Sequence, residues 1–335
     1  MTFTIFEGIQ VLSYYMLNLR QFDSNMKTAS TFIVFWFLAL NSFAFQNLDS
    51  LETALESAAG QNRVDVLNKL YTVYNRLNPT KALEYSILAL ELSNEISYQK
   101  GRSFALNNIG VIYKNQGVYE EALEYYIESL RISTEINDKE AQASTLNNLG
   151  TVYSLKKVYD KALIYFIESY EIFKSIKAKS KLIDAINNIG NAYMEMGRED
   201  LALDYYTEAM SLSEVGSYTD EASNPLNNIG NVYFYRGDYE NALSYYNRSL
   251  NLELESNDLL GQSFALSHLG ATYLKIKDYK NAKSKLDDAL KLALEADAFP
   301  LMTNIYRDLS TMYFETDQFK QAYEARISYD EAKDF

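Results

Sequence analysis

The sequence predicts an all-α solenoid, a fold in which repeated helix pairs stack side by side. A five-residue motif occurs in six copies at a constant spacing of forty residues. A fixed period in this range is typical of proteins in which each repeat contacts only its neighbours. Apolar residues within each repeat recur three and four positions apart, which is the helical period. The copies begin at Leu106, Leu146, Ile186, Leu226, Leu266 and Tyr306.

Each repeat divides into a helix A, a short turn, a helix B and a loop. Helix A carries the motif, and Tyr113 follows the motif glycine Gly110 by three positions. Ala122 comes nine residues after this tyrosine, in helix B. Small residues at the glycine and alanine positions favour a close crossing of the two helices, because larger side chains would push them apart.

These features resemble the tetratricopeptide repeat (TPR). The shared elements are a leucine or isoleucine before the glycine, the tyrosine, the small residue of helix B and an aromatic residue four positions further on. The resemblance covers about residues 64–332 and implies a right-handed superhelical TPR solenoid of about seven helix-turn-helix repeats. The longer period and the missing closing proline depart from the family pattern. The aromatic residues are Tyr126, Phe166, Tyr206 and Tyr246.

The predicted array occupies residues 64–335, and residues 45–63 are predicted to form an N-terminal capping helix. A cap is expected because the end of a solenoid core needs a cover. The repeats are predicted near residues 64–98, 103–138, 143–177, 182–215, 222–256, 262–294 and 302–332.

Two repeats are predicted to depart from the common pattern. Repeat one is shifted by one residue, so that Tyr71 takes the glycine position, and Pro79 is placed to begin its helix B. Pro225 falls in helix A of repeat five, where an interior proline costs about 3 kcal/mol. We therefore expect a shortened helix that starts at Asn224, with a notch beside it. The notch is either the scar of a tolerated insertion or a binding feature.

The turns between helices A and B are predicted to need a left-handed residue. Gly117 and Gly197 adopt that conformation cheaply. Lys157 and Lys277 stand at the same place in repeats three and six, where we expect more strain or another turn geometry.

The first 44 residues are predicted to contain a secretory signal peptide. A lysine, Lys27, precedes an apolar run from Phe32 to Leu40, and small residues follow up to Ala44. We expect translation to start at Met26 and cleavage to follow Ala44, with an uncleaved membrane anchor as the alternative. The mature chain is then expected to be exported, and to be periplasmic or membrane-associated and extracytoplasmic in a bacterial envelope.

Composition argues against several functional classes. The chain has no cysteine and a formal charge of −14, and no cluster of Lys and Arg suited to nucleic acid. No phosphate-binding loop or HExxH motif is present. The single histidine, His268, replaces the second asparagine of the motif, which favours a structural role over catalysis. The sequence therefore predicts a protein without enzymatic activity, cofactor, metal or nucleic-acid partner.

The paired asparagines of helix A point to a binding surface. Asparagine is a poor helix former, so its repeated use inside a helix needs a reason. An amide offers both a donor and an acceptor and can hold the backbone of an extended peptide. The TPR resemblance places helix A along a concave groove, and related long-period TPR proteins hold peptides through such asparagines. The predicted groove residues are Asn68, Asn107, Asn147, Asn187, Asn227, Asn191, Asn231 and Arg307, with Phe104, Phe234, Tyr235 and Phe264 as apolar neighbours.

A structural interpretation stands beside this one. The second asparagine of each pair is predicted to bond the backbone of a neighbouring helix and so fix the spacing of the repeats. The flanking aromatic residues are each individually favoured as packing residues. Lys114, Lys275 and Arg307 are a weaker indication of an acidic ligand. The second asparagines are Asn108, Asn148, Asn188 and Asn228.

Two functions remain open. The first is a scaffold that binds a protein or peptide ligand in the concave groove. The second is the sensor part of a signalling protein. The predicted signal peptide, the segments LDSLETALE and NPTKALEYSILALEL and the repeat array together resemble the extracytoplasmic region of bacterial TPR-containing sensor histidine kinases and regulators. That resemblance implies a sensor with a membrane-associated signalling partner, whose membrane and output segments would follow Phe335.

Overall fold

The structure, a computed structural model, describes residues 48–216 and 219–333. Fifteen α-helices account for most of these residues, and no β-strand occurs in this part of the chain. The two helices of repeat one pack against each other, as do all consecutive helices from Tyr119 to Lys333. The chain forms two compact units, one up to Asn108 and one from Ile109 onward. The predicted all-α array of helix pairs is confirmed.

Helix α1 spans residues 48–57, within the segment for which a cap is predicted. Seven helix pairs follow it in the described residues. Helices A are α2 (Gly60–Leu77), α4 (Gln99–Asn115), α6 (Lys139–Leu155), α8 (Lys179–Glu195), α10 (Thr219–Tyr235), α12 (Leu259–Lys275) and α14 (Phe299–Glu315). Helices B are α3 (Pro79–Glu95), α5 (Tyr119–Glu135), α7 (Tyr159–Ile176), α9 (Glu199–Gly216), α11 (Tyr239–Ser256), α13 (Tyr279–Glu295) and α15 (Phe319–Lys333).

Helix α1 is tied to repeat one by a polar cluster. Glu52 accepts hydrogen bonds from the Tyr74 hydroxyl at 2.6 Å and from the Lys81 ammonium at 2.9 Å. These two bonds lower the pKa of the Glu52 carboxyl. Asn78 caps α3 by accepting a bond from the Lys81 amide, and Pro79 is the first residue of that helix, as predicted.

In repeats two to five, helices A and B meet at an aromatic ring of helix B that lies on the motif glycine of helix A. In repeat four, a Cβ on Gly190 would stand 2.5 Å from Cε1 of Tyr206. The Tyr206 side chain is only 2% exposed, so it has no room to retreat. The close crossing predicted from the small residues therefore depends on the ring that fills it. Gly110, Gly150 and Gly230 meet Tyr126, Phe166 and Tyr246 in the same way.

Left-handed residues end helix A as predicted. Gly117 and Gly197 have φ values of +77° and +71°. Lys157 and Lys277 keep the same geometry, with φ values of +59° and +62°. Their side chains carry the steric cost of this conformation, because only glycine visits it freely.

The predicted start of helix A in repeat five is wrong. Helix α10 does not begin at Asn224; it begins at Thr219 and carries Pro225 inside it. Proline cannot donate to the carbonyl four residues earlier, but packing holds the first turns of this helix. Ser223 is buried, and the Ser249 hydroxyl of α11 donates to its carbonyl at 3.3 Å. With 17 residues, α10 is as long as α8, so the argument for a notch beside a shortened helix falls.

No helix within residues 48–216 and 219–333 is long and apolar enough to cross a membrane. The predicted signal peptide and the predicted start at Met26 lie outside the described residues.

Candidate functional site

Two of the second asparagines, Asn108 and Asn188, link neighbouring helices A. The Asn188 amide donates from Nδ2 to Oδ1 of Asn147 at 3.0 Å, and Asn108 donates likewise to Asn68 at 3.1 Å. The partner in these two cases is a side chain of the preceding repeat and not the predicted backbone. The spacing role predicted for the second asparagine is thus supported, since each bond joins successive repeats.

The first asparagines of repeats four and five are in a different state. Asn187 and Asn227 are only 6% and 9% exposed, and the Oδ1 atom of each has no hydrogen-bond partner. A buried acceptor without a donor costs about 1–3 kcal/mol. Such atoms are rare in native proteins and call for an explanation.

The asparagines one turn further along helix A are held by tyrosines. The Tyr206 and Tyr246 hydroxyls donate to Oδ1 of Asn191 and Asn231, each at 2.7 Å. Burial raises the pKa of both hydroxyls, so they stay protonated and act as donors. The two amides are consequently fixed in orientation, with their NH₂ groups as the donors available to a ligand.

Five predicted groove residues converge on one cavity in repeats five to seven. This aromatic cavity has a volume of about 600 Å³. Its walls include Phe234, Tyr235 and Phe264, and its polar side chains include Asn231 and Arg307. Ser267, Ala271 and Lys275, on the helix A that the sequence argument placed along the groove, line it too. The sequence argument missed Tyr246, His268, Asn304, Asp308 and Glu315, which also line it.

Repeat six, whose Ala271 lines the aromatic cavity, departs from repeats four and five at two positions. Leu286 replaces the ring that lies on the motif glycine, and Ala271 replaces the asparagine that this ring would bond. Both replacements are smaller than the residues found in repeat five. The forty-residue alignment is a signal that could have revealed this space before the structure was known.

Charges of both signs border the aromatic cavity. Arg307 donates from Nε to Oδ1 of Asp308 at 3.0 Å and from Nη1 to Oδ1 of Asn304 at 3.2 Å. Burial raises the pKa of Asp308, and the neighbouring guanidinium opposes that shift. Arg307 is therefore already oriented by protein partners, which reduces the entropic cost of binding a ligand group.

A second cavity of about 380 Å³ adjoins the first and shares Phe264 and His268 with it. Asn227, Glu253 and Asp258 are among its other lining residues. Burial lowers the pKa of His268 to about 4, so the imidazole is neutral at pH 7. Its ring centre lies 4.9 Å from that of Tyr246, in keeping with the predicted structural role.

The remaining predicted groove residues line neither of these two cavities. They are Asn68, Asn107, Asn147, Asn187, Asn191 and Phe104, and their role in a groove stays a prediction. Among the described residues, no group of three His, Cys, Asp or Glu side chains could hold a metal ion.

A tetratricopeptide-repeat family model matches residues 101–175 and 182–255. These matches cover repeats two to five, including the one that contains Pro225. The sequence matches no curated protein.

Several solved structures share the fold. The apo form of RapI is 15% identical with a TM-score of 0.64, covering 81% of this chain and 97% of RapI. A Rap protein complexed with Competence and Sporulation Factor is 16% identical with a TM-score of 0.62, covering 86% of this chain and 79% of that one.

A third similar structure is a STAND protein with a tetratricopeptide repeat sensor, PH0952 from Pyrococcus horikoshii. It is 18% identical with a TM-score of 0.60, covering 85% of this chain and 47% of that protein. The match to the repeat family and the likeness of the folds agree with the helix pairs described above. Residues 101–175 and 182–255 therefore carry tetratricopeptide repeats, in a chain whose described residues form pairs of α-helices.

Proposed function

We propose that this chain is a non-enzymatic scaffold that holds a segment of another protein along its helices A. The observation that carries the proposal is the convergence of Asn231, Phe234, Tyr235, Phe264 and Arg307 on the aromatic cavity. Its volume of about 600 Å³ is within the range of ligand sites, about 300–1,000 Å³. Aromatic walls with a few oriented polar groups suit an inserted side chain with polar backbone on either side.

The likeness to a Rap protein complexed with Competence and Sporulation Factor supports the proposal at the level of the fold. The unpartnered Oδ1 of Asn227, a residue that lines the second cavity, supports it at the level of the residues, because a bound backbone amide could supply the missing donor. An extended segment is the ligand best suited to a row of amides, since its backbone groups are not paired with each other.

The test is selection from a displayed library of random twelve-residue peptides, followed by fluorescence anisotropy with the enriched sequences. The double variant Ala271→Asn with Leu286→Tyr installs in repeat six the pair that fills repeat five. We expect this variant to fold and to bind the selected peptides at least about tenfold more weakly, because a loss of about 1.4 kcal/mol is tenfold.

Val111→Asn is the matched control. It places the same asparagine opposite Tyr126 in repeat two, away from the aromatic cavity, and should leave binding unchanged. Replacing Asn147, Asn187 and Asn227 together with alanine tests the amide row separately. A library from which nothing is enriched, or peptides that bind the filled variant as well as the parent chain, would refute the proposed function.

A narrower form of the proposal makes this array the sensor region of an exported bacterial signalling protein. It is supported by the sequence resemblance to extracytoplasmic sensor regions and by the likeness to a STAND protein with a tetratricopeptide repeat sensor. Sequencing the transcript beyond the codon for Phe335 tests it. We expect a hydrophobic span followed by a kinase or helix-turn-helix segment, and fractionation of the host should place the array outside the cytoplasm.

A further inference from the structure

The second cavity, named here the acidic cavity, is lined by hydrogen-bond acceptors and carboxylates. Glu253 and Asp258 supply two negative charges, and Asn227 and Asn228 supply amides. Among the described residues that line it, none is a lysine or an arginine. Phe264 forms its aromatic border with the aromatic cavity.

Glu253 has no counterpart in the other repeats. The equivalent positions, forty residues apart, hold no acidic side chain. Glu253 is only 6% exposed, and buried carboxylates are uncommon because the charged form is costly to desolvate. The equivalent residues are Ser93, Ser133, Phe173, Ser213, Ala293 and, in repeat seven, Lys333.

A glycine makes room for this carboxylate. Gly261 stands opposite Glu253 at the start of helix α12, and a Cβ at that position would overlap the Glu253 carboxylate. The backbone around Gly261 is helical, so the glycine is not needed for its conformation. Its absent side chain is instead what allows the carboxylate to lie there.

Asn227 provides an independent indication of a ligand. Its side chain lines the acidic cavity, is about nine-tenths buried and has an Oδ1 atom without a donor. An unpartnered amide oxygen beside a buried carboxylate is suited to a group that carries several N–H donors and a positive charge. The face of Phe264 adds a surface on which a cation is attracted by the ring.

We propose that the acidic cavity binds a basic side chain, lysine or arginine, of the segment held by this scaffold. The inference rests on the proposed function and adds a specificity to it. The basic side chain enters the acidic cavity while a neighbouring residue of the same segment occupies the aromatic cavity. The shared border at Phe264 and His268 keeps the two positions adjacent.

The cavity can be tested without any peptide, by titration with ethylguanidinium and n-butylammonium and with butyrate as the anionic control. His268 is the only histidine of the chain, so its ring resonances in NMR spectra report on the site without ambiguity. We expect saturable shifts with both cations and none with butyrate.

Two variants locate the binding. Glu253→Gln removes the negative charge of this side chain. Gly261→Ala displaces the Glu253 carboxylate from its place but leaves its charge. Each should weaken cation binding at least about tenfold, because a buried charge pair loses more than a rim contact when one partner is removed. Glu255→Gln is the matched control, since it removes an exposed carboxylate from the same helix. Circular dichroism checks the fold, and Gly261→Ala decides the question if Glu253→Gln unfolds.

Absence of saturable shifts, or equal cation binding by the parent chain and both variants, would overturn the inference. The peptide selection separates it from the proposed function. Enriched peptides that lack a lysine or arginine preference, or keep it in Glu253→Gln, refute the acidic cavity alone. Cation shifts without any enriched peptide refute the scaffold and leave a site for small cations.

Discussion

Repeats four and six share a backbone plan and differ in what fills the space between their helices. In repeat four, Tyr206 lies on the motif glycine and donates to Asn191. In repeat six, Leu286 lies on the glycine and Ala271 stands where the asparagine would be. The first arrangement is filled, and the second borders a cavity of about 600 Å³. Two side chains therefore change the surface of a repeat without changing its helices.

The largest expected effect comes from copying repeat six into repeat four. The double variant Tyr206→Leu with Asn191→Ala removes a buried ring and its hydrogen bond. We expect a loss of about 2–4 kcal/mol in the free energy of unfolding, as for other large-to-small core changes. Urea denaturation measures it, and a crystal structure should show a new cavity. Tyr206→Phe, the control, should lose only about 1 kcal/mol. An unchanged midpoint for the double variant would contradict the comparison.

The second prediction concerns His268, which stands where repeat four has Asn188. Its folded pKa of about 4 lies below the ordinary 6.5, so the unfolded chain binds the proton more readily. The stabilisation of the folded chain by the neutral His268 ring is therefore complete above pH 6.5, and it is lost as the pH falls toward 4. Relative to His268→Asn, the parent chain should lose up to about 3 kcal/mol over this interval.

Urea denaturation from pH 8 to pH 4 of both chains gives the difference curve. The carboxylates that line the same cavity, Glu253 and Asp258, are present in both chains, so the difference curve reports on residue 268. A flat difference curve between pH 6.5 and pH 4 would show that the ring is not buried as described.

A smaller effect distinguishes the amide links between repeats. Asn188→Ala should cost about 1 kcal/mol, because it leaves Oδ1 of Asn147 without its donor. Asn228→Ala should cost less, since Oδ1 of Asn187 has no partner even in the parent chain. Thermal unfolding of the two variants under the same conditions makes the comparison. Equal losses would mean that these amide bonds do not help to hold the repeats together.

The smallest expected effect is at the turns. Lys157→Gly and Lys277→Gly remove the steric cost of a lysine in the left-handed conformation. Each should raise the free energy of unfolding by about 0.5–1 kcal/mol. Gly117→Ala should destabilise by a similar amount. Differential scanning calorimetry resolves changes of this size in the transition temperature. A lysine variant that melts below the parent chain would indicate that the turn residue contributes through its side chain.

Much of the architecture could be predicted from the sequence, because its signals are local and repeated. The forty-residue period, the turn glycines and Pro79 each indicate a feature that the structure bears out. The start of helix α10 was predicted wrongly from Pro225, because an interior proline is costly by itself. In the structure, the burial of Ser223 and the packing around it hold the helix together. A propensity weighs one residue, and here the tertiary contacts outweighed it.

The candidate site could be predicted only in part. Placing helix A along the groove identified Asn231, Phe264 and Arg307 as residues of one surface, and they do line one cavity. Glu253 and Asp258 were missed, because they belong to the end of a helix B and the loop after it and not to helix A. The hydrogen bonding of the amides was also not predicted in full. Oδ1 of Asn147 accepts a hydrogen bond from Asn188, whereas Oδ1 of Asn187 has no donor.

The sequence by itself determined the period, the helix pairs and the faces they bury, because each of these is written in residues a few positions apart. Only the tertiary structure decided which positions along helix A stay open and which acceptors remain unpaired. Those outcomes depend on the volume that side chains from three helices leave between them. One aromatic ring more or less, or one additional carboxylate, changes that volume. The helices of the repeat that carries the change keep their arrangement, and the residues that share the volume lie far apart in the chain.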